Sequence, residues 1–250
     1  MRYFLFLFVF LSTIFNTFGQ LCPPRSGKFG ESKIFNITAG YGITKVFGDV
    51  NANNSFGSAG VLKFDYLLKK GIYLGAEGQL GNLITQVRNS SNPIQSQNDY
   101  SALGLSLSIH PFELLERKSY RYSQSTSILN SLYVGLGAMY VFNDYSFIYR
   151  NINDPVTFGP IEDIMQSGEI VFQNKTKTFV LPSLNVGSAL PVNTIFKNLD
   201  SPLSVVANFQ LNLGRNDYLD GYEPHRLDGQ AIPSRDDVYN FLYLGLRYSF

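Results

Sequence analysis

Residues 240–250 read NFLYLGLRYSF, and the alternation within this stretch decides the fold. Leu242, Leu244, Leu246, Tyr248 and Phe250 fall on one side of an extended chain; Tyr243, Gly245, Arg247 and Ser249 fall on the other. A period of two is that of a strand with one apolar face. The design recurs upstream. Residues 203–214 set Leu203, Val205, Ala207, Phe209, Leu211 and Leu213 against Ser204, Val206, Asn208, Gln210, Asn212 and Gly214. Residues 132–142 set Leu132, Val134, Leu136, Ala138, Tyr140 and Phe142 against Tyr133, Gly135, Gly137, Met139 and Val141. Leu103, Leu105, Leu107 and Ile109 oppose Ala102, Gly104, Ser106 and Ser108 in the same way. Weaker alternation marks 33–44, 58–68 and 72–84. In 178–190 Leu184, Val186 and Leu190 alternate, but Pro182 cannot donate to a ladder and predicts a bulge or a rim.

Eight strands result, each long enough to cross a hydrocarbon layer when tilted, since about 9–11 residues suffice. No segment after the first twenty residues approaches 18 consecutive apolar residues, so no transmembrane helix is expected. The connections after strands one, three, five and seven are long and polar, at 45–57, 85–99, 143–177 and 214–237. The second is only Lys69-Lys70-Gly71, the sixth (191–202) is moderate, and the fourth (110–131) breaks the pattern by being long. Long loops on one side and mostly short turns on the other predict an all-β, eight-stranded, antiparallel up-and-down transmembrane barrel, with both termini on the short-turn, periplasmic side. A soluble β-sandwich or lipocalin-like barrel would use the same alternation with its apolar face inward. The Gly, Asn, Gln and Ser of the opposite face are poor material for a watery surface and suit a narrow polar lumen.

The N-terminus reads as an address. Arg2 precedes an apolar run from Tyr3 to Leu11, and Thr17-Phe18-Gly19 is small at the two positions that a signal peptidase inspects. Residues 1–19 are expected to be a cleaved secretory signal, 20–32 a short periplasmic segment and 33–250 the barrel. Cys22 raises the rival of a lipidated mature N-terminus, although Leu21 sits where a lipobox wants a small residue.

Composition narrows the function. Twenty Lys and Arg against 19 Asp and Glu remove the electrostatic case for nucleic acid. One Cys rules out an intramolecular disulfide framework, and no Cys/His cluster offers a zinc site. With 44% hydrophobic residues the chain is not intrinsically disordered.

At residues 242–250, ending in Phe250 with Tyr248, Leu246 and Leu244 on the same face, the chain resembles the C-terminal sorting signal of Gram-negative outer-membrane β-barrel proteins. The layout of 33–250 resembles the eight-stranded OmpA/OmpX-type superfamily. The Gly19-Gln20 junction, the Asn-rich loops and the repeated YxG and LxLG segments resemble PorT-like outer-membrane barrels of Bacteroidota. GYGITKVFGDV (40–50) is similar to small barrels associated with type IX secretion. The resemblance implies an outer-membrane location, contact with outer-membrane lipid, and the barrel-assembly machinery as partner during insertion, with Leu244, Leu246, Tyr248 and Phe250 as the sorting residues.

Inward charges are the interpretable site residues. Lys63 and Asp65 share the lumen face of strand two, Glu77 lies on strand three and Arg247 on strand eight. A charge in a narrow barrel is costly unless paired. Eight strands enclose a space that side chains fill. With Lys69-Lys70-Gly71 as a three-residue turn, Leu68 opposes Ile72 and Lys63 opposes Glu77. A Lys63–Glu77 ion pair is then expected, with Asp65 diagonal and Arg247 as second cation.

Chemistry is harder to find. Of the two His, His110 lies at the rim in Ile109-His110-Pro111 and His225 in the last long loop. Neither has a Ser at matching parity nearby, so no catalytic residue, cofactor or metal is expected. Asn216-Asp217-Tyr218-Leu219-Asp220-Gly221-Tyr222-Glu223 invites a calcium reading, but its spacing lacks the alternating Asp/Asn ligands that end in a bidentate Glu. Tyr218 and Tyr222 read as a candidate recognition surface. The expected role is non-enzymatic: a barrel that presents external loops or serves as a small subunit of an envelope, and on the last resemblance secretion-related, assembly. A narrow solute channel and a lipid-acting enzyme are the alternatives. The connection 110–131, with Glu113, Glu116, Arg117, Lys118 and Arg121, is the candidate surface for a periplasmic or outer-membrane protein partner.

Overall fold

Where apolar residues alternate, the chain is extended and paired on both sides. The computed structural model describes residues 33–47, 55–86, 95–115, 128–151, 154, 156–165, 170–195, 201–222, 224, 232 and 236–250. The expected signal, Cys22, the 116–121 charges and His225 lie outside the described residues. In chain order the elements are β1 (Phe35–Phe47), β2 (Gly57–Lys69), β3 (Ile72–Gln86), β4 (Gln95–Ile109), α1 (Pro111–Leu115), β5 (Leu132–Ile148), β6 (Ile161–Ile164), β7 (Ile170–Phe172), β8 (Lys175–Pro191), α2 (Val192–Ile195), β9 (Leu203–Gly214) and β10 (Val238–Ser249). Eight antiparallel strands close in the order β1-β10-β9-β8-β5-β4-β3-β2, and β6 and β7 form a separate hairpin. Both chain ends of the barrel, the β2–β3 turn, α1 and α2 share one end; the four long loops share the other.

The wall is inside out relative to a water-soluble barrel. Leu244 and Leu103 stand outward with 66% and 65% of their surface exposed, whereas inward Lys63 and Gln79 expose 2% and 1%. An outer wall of Leu, Phe, Tyr and Val around a polar interior needs hydrocarbon as its solvent, so the barrel is a membrane-spanning one. The seam joins β1 to β10, where Phe35 and Phe250 exchange backbone hydrogen bonds of 3.1 and 2.9 Å and their rings stack at 6.1 Å. Inward glycines let the wall close tightly, while outward Gly60 and Gly78 have no side-chain or backbone atom closer than 3.6 Å to a notional Cβ. A shallow groove beside Gly78, lined by Leu62, Phe64, Leu103 and Leu105, marks that gap in the outer wall.

Three details differ from the sequence reading. Lys69, not Leu68, pairs with Ile72, and the ladder shifts between Leu67 and Lys69. The turn proper is Lys70-Gly71, Gly71 taking φ +73° where an L side chain is strained, and a bulge at Leu68 absorbs the odd residue. The register beyond the bulge is unaffected, so Lys63 faces Glu77 across β2 and β3. Next, β4 starts at Gln95 and β5 runs to Ile148, both well beyond their alternating stretches. There the outward side chains include Gln97, Asp99 and Asp144, and exposed Asp144 pairs with exposed Lys175 at 3.0 Å. Polar outward residues at this end, together with a bulge at Ser146 that shifts β5 against β4, erase the period-two signal. Finally, 143–177 contains the β6–β7 hairpin, whose strands of four and three residues are too short to alternate legibly. Pro182 does sit at a bulge: β8 shifts register against both neighbours between Val180 and Ser183.

Candidate functional site

The lumen is layered, and its lowest layer, nearest the termini, holds the charges. Lys63, Asp65, Glu77 and Arg247 are all buried. Asp65, rather than Glu77, is the hub: its carboxylate lies 3.5 Å from Lys63 Nζ and 3.4 Å from Arg247 Nη2. Arg247 also donates to Thr38 Oγ1 at 3.1 Å, and Lys63 Nζ lies 3.5 Å from Ser108 Oγ. The ring of Tyr133 lies beneath both cations, 6.0 Å from Lys63 Nζ and 5.5 Å from the Arg247 guanidinium. The expected Lys63–Glu77 ion pair is therefore not formed, although the two residues are opposite. Glu77 is turned up the barrel, where Gln79 Nε2 donates to it at 2.6 Å. One carboxylate between two cations satisfies both, leaving Glu77 to the layer above.

That layer is amide-based. Gln79 donates to Glu77 and, at 2.8 Å, to Gln210, while its Oε1 accepts from Tyr100 at 3.1 Å and Tyr239 at 3.4 Å. Gln210 in turn donates to Ser183 at 2.8 Å. Gln79 thus uses both protons and both lone pairs, which removes the penalty of burying it. Tyr133, Tyr239, Tyr243 and Phe241 fill the remaining section and are essentially inaccessible.

The long-loop mouth is capped by the start of the β9–β10 connection. Leu219 is fully buried there, and its carbonyl accepts from Asn98 Nδ2 at 3.0 Å. Ser96 Oγ and the Tyr145 hydroxyl donate to the carbonyls of Asp220 and Tyr218. Gly221, at φ +87°, allows the turn, since a Cβ there would meet Ile148 and Tyr145 side chains at 2.6 and 3.0 Å. Tyr222 is an anchor, not an exposed recognition residue: it is buried, its hydroxyl lies 2.7 and 2.9 Å from the carbonyls of Gln95 and Tyr149, and burial pushes its pKa up to about 12. Arg150 ties the β6–β7 hairpin alongside, donating to the Phe158 and Gln173 carbonyls at 2.6 and 2.8 Å and lying over the Phe172 ring. Burial lowers its pKa to about 10, which leaves it charged at neutral pH. At the rear of the cap Asp237 Oδ2 accepts the backbone N–H groups of Leu219 and Asp220 at 2.8 and 3.1 Å. Burial, and after it the neighbouring Asp220 and Asp217, raise the Asp237 pKa well above the ordinary carboxylate range.

At the other mouth His110 stands just past β4, its ring between those of Tyr73 at 4.9 Å and Tyr133 at 5.4 Å. Nδ1 lies 3.3 Å from the carbonyl of Asn130. Burial, then Arg247, lower its pKa to about 4. The unfolded chain takes up this proton below about pH 6.5, the folded barrel only near 4, so stability falls as pH falls through that window. The contribution is at most about 3 kcal/mol. Urea midpoints of refolded His110→Phe should lose that part of the pH dependence; an unchanged slope between pH 6.5 and 4 would show that His110 does not supply it.

Leu244, Leu246, Tyr248 and Phe250, the residues expected to carry a sorting signal, all point outward, facing Tyr41, Ala39, Ile37 and Phe35 across the seam. Sequence reasoning missed Gln79, Gln210, Asn98 and Asp237 as members of the lumen network. The first two carried a usable signal, a long polar side chain at lumen parity. Asp237 carried none, because its partners lie 17 and 18 residues away across a loop.

No family model matches the chain, and no curated protein matches it. Among solved structures it is similar to Neisserial surface protein A, at 11% identity and a TM-score of 0.43 over 86% of this chain and 97% of that one. It is similar also to the attachment invasion locus protein Ail of Yersinia pestis, at 13% and 0.44 over 88% and 100%. A third is the outer membrane protein OprG of Pseudomonas aeruginosa, at 11% and 0.41 over 87% and 97%. At 11–13% identity none of these likenesses bears on activity.

Proposed function

We propose that this chain is a closed, non-enzymatic outer-membrane barrel that displays its long loops to the cell exterior, both termini lying in the periplasm. The observation that supports it is the filled and capped lumen. Tyr133, Tyr239, Tyr243 and Gln79 occupy its section, and Leu219 with Tyr222 covers the long-loop mouth. Among the described residues these side chains occupy the space a solute would need, and the Arg150 and Tyr222 anchors hold the described loop segments in one shape for recognition. The strand layout supports affiliation with the OmpA/OmpX-type superfamily, and the Gly19-Gln20 junction, the Asn-rich loops and the YxG and LxLG segments support the PorT-like group within our reading. At the periplasmic end exposed Phe112, Leu114 and Leu115 on α1 belong to the 110–131 connection, the candidate surface for an envelope partner.

The refolded barrel in planar bilayers should give no sustained conductance, and protease added to intact cells should cut within 223–235 and not within 110–131. Steady ohmic currents would restore the channel reading, and protection of 223–235 with cleavage at 110–131 would reverse the orientation. The mature chain should start at Gln20, fractionate with outer membranes and migrate faster unboiled than boiled, because a closed barrel has no edge to unravel.

Phe250→Ala should lower the amount inserted several-fold, with Phe250→Tyr restoring it. The change removes one lipid-facing ring but also the stack on Phe35 that closes the seam. Quantifying the heat-modifiable band separates the two roles: a sorting defect lowers its amount, a seam defect lowers its melting temperature. Parental levels of Phe250→Ala in the membrane would remove the sorting role.

A further inference from the structure

We propose that the two ends of the 110–131 connection are a lipid anchor: the side of α1 that carries Phe112 and Leu115, with Ile128 and Leu129, lies in the headgroup layer of the periplasmic leaflet. That this rim is periplasmic rests on the function proposed above; the lipid contact itself needs only a barrel in a bilayer.

The helix is held in one orientation at the rim. Pro111 opens it at the position where a missing N–H costs nothing. His110 N–H donates to the Gly71 carbonyl at 2.8 Å, and Leu114 N–H donates to the His110 carbonyl at 3.1 Å. Residues three apart share a helix face. His110, at the cap, and Glu113 form one such pair, and both face the lumen mouth. The His110 ring lies between Tyr73 and Tyr133, and Glu113 hydrogen-bonds Tyr73, which has the inward parity of Glu77. Phe112 and Leu115 form the other pair, and Leu115 stands about 200° round the helix from Glu113. They expose 40% and 78% of their surface. Glu113 is the only charge of α1, so the side turned away from the lumen is wholly apolar. The far end of the connection is fixed to the same rim. Ser131 Oγ donates to the Ile128 carbonyl at 2.6 Å and lies 2.7 Å from Ser188 Oγ, while the Asn130 carbonyl lies 3.3 Å from His110 Nδ1. Ile128 and Leu129 are exposed there.

The cover for these side chains follows from the wall that they continue. Phe112 comes three residues after Ile109, the last outward residue of β4, and Leu129 three before Leu132, the first of β5. On β10, β1 and β2 the wall ends at this rim in outward Tyr248, Phe250, Phe35 and Tyr66, whose rings touch in series. Such a belt forms where hydrocarbon gives way to headgroups. On β4 and β5 the wall ends in Ile109 and Leu132, without a ring, and Phe112 supplies one just beyond. A helix with one apolar side sinks about 5–10 Å into that boundary without spanning it. The side offers no charge by which a protein would be oriented. An envelope partner is left with Glu116, Arg117, Lys118 and Arg121, which lie between the two apolar ends in sequence.

The chain has no Trp, so a single introduced Trp reports on its own surroundings. Phe112→Trp, Leu115→Trp and, as a wall control, Leu244→Trp are refolded as the mature barrel into phosphatidylcholine vesicles. The acyl chains are unbrominated, brominated near the headgroup or brominated near the chain end, and heat-modifiable migration verifies each fold. Both rim variants should lose about half of their emission or more to the shallow bromines and less to the deep ones, as a ring at the headgroup boundary requires. Leu244→Trp, in the middle of β10, should be quenched more by the deep bromines. Absence of quenching at Phe112→Trp or Leu115→Trp, with Leu244→Trp quenched, would overturn the anchor and give the face to water, to the chain itself or to a protein. Stronger quenching of the rim variants by deep than by shallow bromines would overturn the headgroup placement. Bromine quenching does not depend on which leaflet of the cell's membrane the rim meets, so the protease test of orientation succeeds or fails separately.

Discussion

Replacing Asp65 by Asn is expected to destabilise the barrel by about 3–5 kcal/mol, more than any other single change among the lumen charges. Asn keeps the size and one acceptor but removes the negative charge that Lys63 and Arg247 share, stranding two buried cations 3.5 and 3.4 Å from a neutral group. Lys63→Met leaves the Arg247–Asp65 contact in place and should cost less. Glu77→Gln keeps an oxygen for Gln79 and should cost about 1 kcal/mol. A double-mutant cycle on Lys63 and Asp65 should return a coupling of about 1–3 kcal/mol, and one on Lys63 and Glu77 less than about 0.5. Urea unfolding in detergent or lipid measures both. Equal couplings would mean that Glu77 neutralises Lys63 as much as Asp65 does in the folded barrel, and would overturn Asp65 as the hub.

The second large effect concerns inward glycines, and the seam is the extreme case. A Cβ at Gly42 would stand 2.0 Å from the Leu242 carbonyl oxygen and 2.5 Å from Tyr243 Cα, both backbone. Even Gly42→Ala must therefore push β1 away from β10 and should abolish most closure. At Gly135 the first carbon meets Ser108 Oγ at 3.2 Å and Asn185 Cβ at 3.3 Å. Gly135→Ala should then be mild, and Gly135→Leu should cost about 3 kcal/mol or more by overpacking a filled section. Gly78→Leu is the control, because it points outward and its nearest neighbour is Leu103 Cδ2 at 3.6 Å. The fraction of heat-modifiable barrel after refolding reads all four. Acceptance of Leu at Gly135 with parental stability would show a lumen with room to spare and favour the channel.

What the sequence by itself determined is the part governed by period two. Wherever one face meets hydrocarbon and the other a polar lumen, as at Leu103–Ser108 or Leu242–Arg247, the alternation states both the strand and its orientation. The same parity placed Lys63 opposite Glu77 and sorted inward Gly135 from outward Gly78. It went silent at Gln95–Ser101 and Asn143–Ile148, because outward Gln97, Asp99 and Asp144 are polar and a bulge at Ser146 breaks the parity of β5 against β4. Only the tertiary structure decided which charges pair: Arg247, on the last strand, reaches Asp65 on the second because the barrel closes, and that draws Lys63 to the same carboxylate. It also decided the capped mouth, where Asn98, Tyr145 and Asp237 meet the 218–220 backbone. Parity gives each side chain a face, but the azimuth and height at which distant strands and a folded-in loop meet follow from closing the ring.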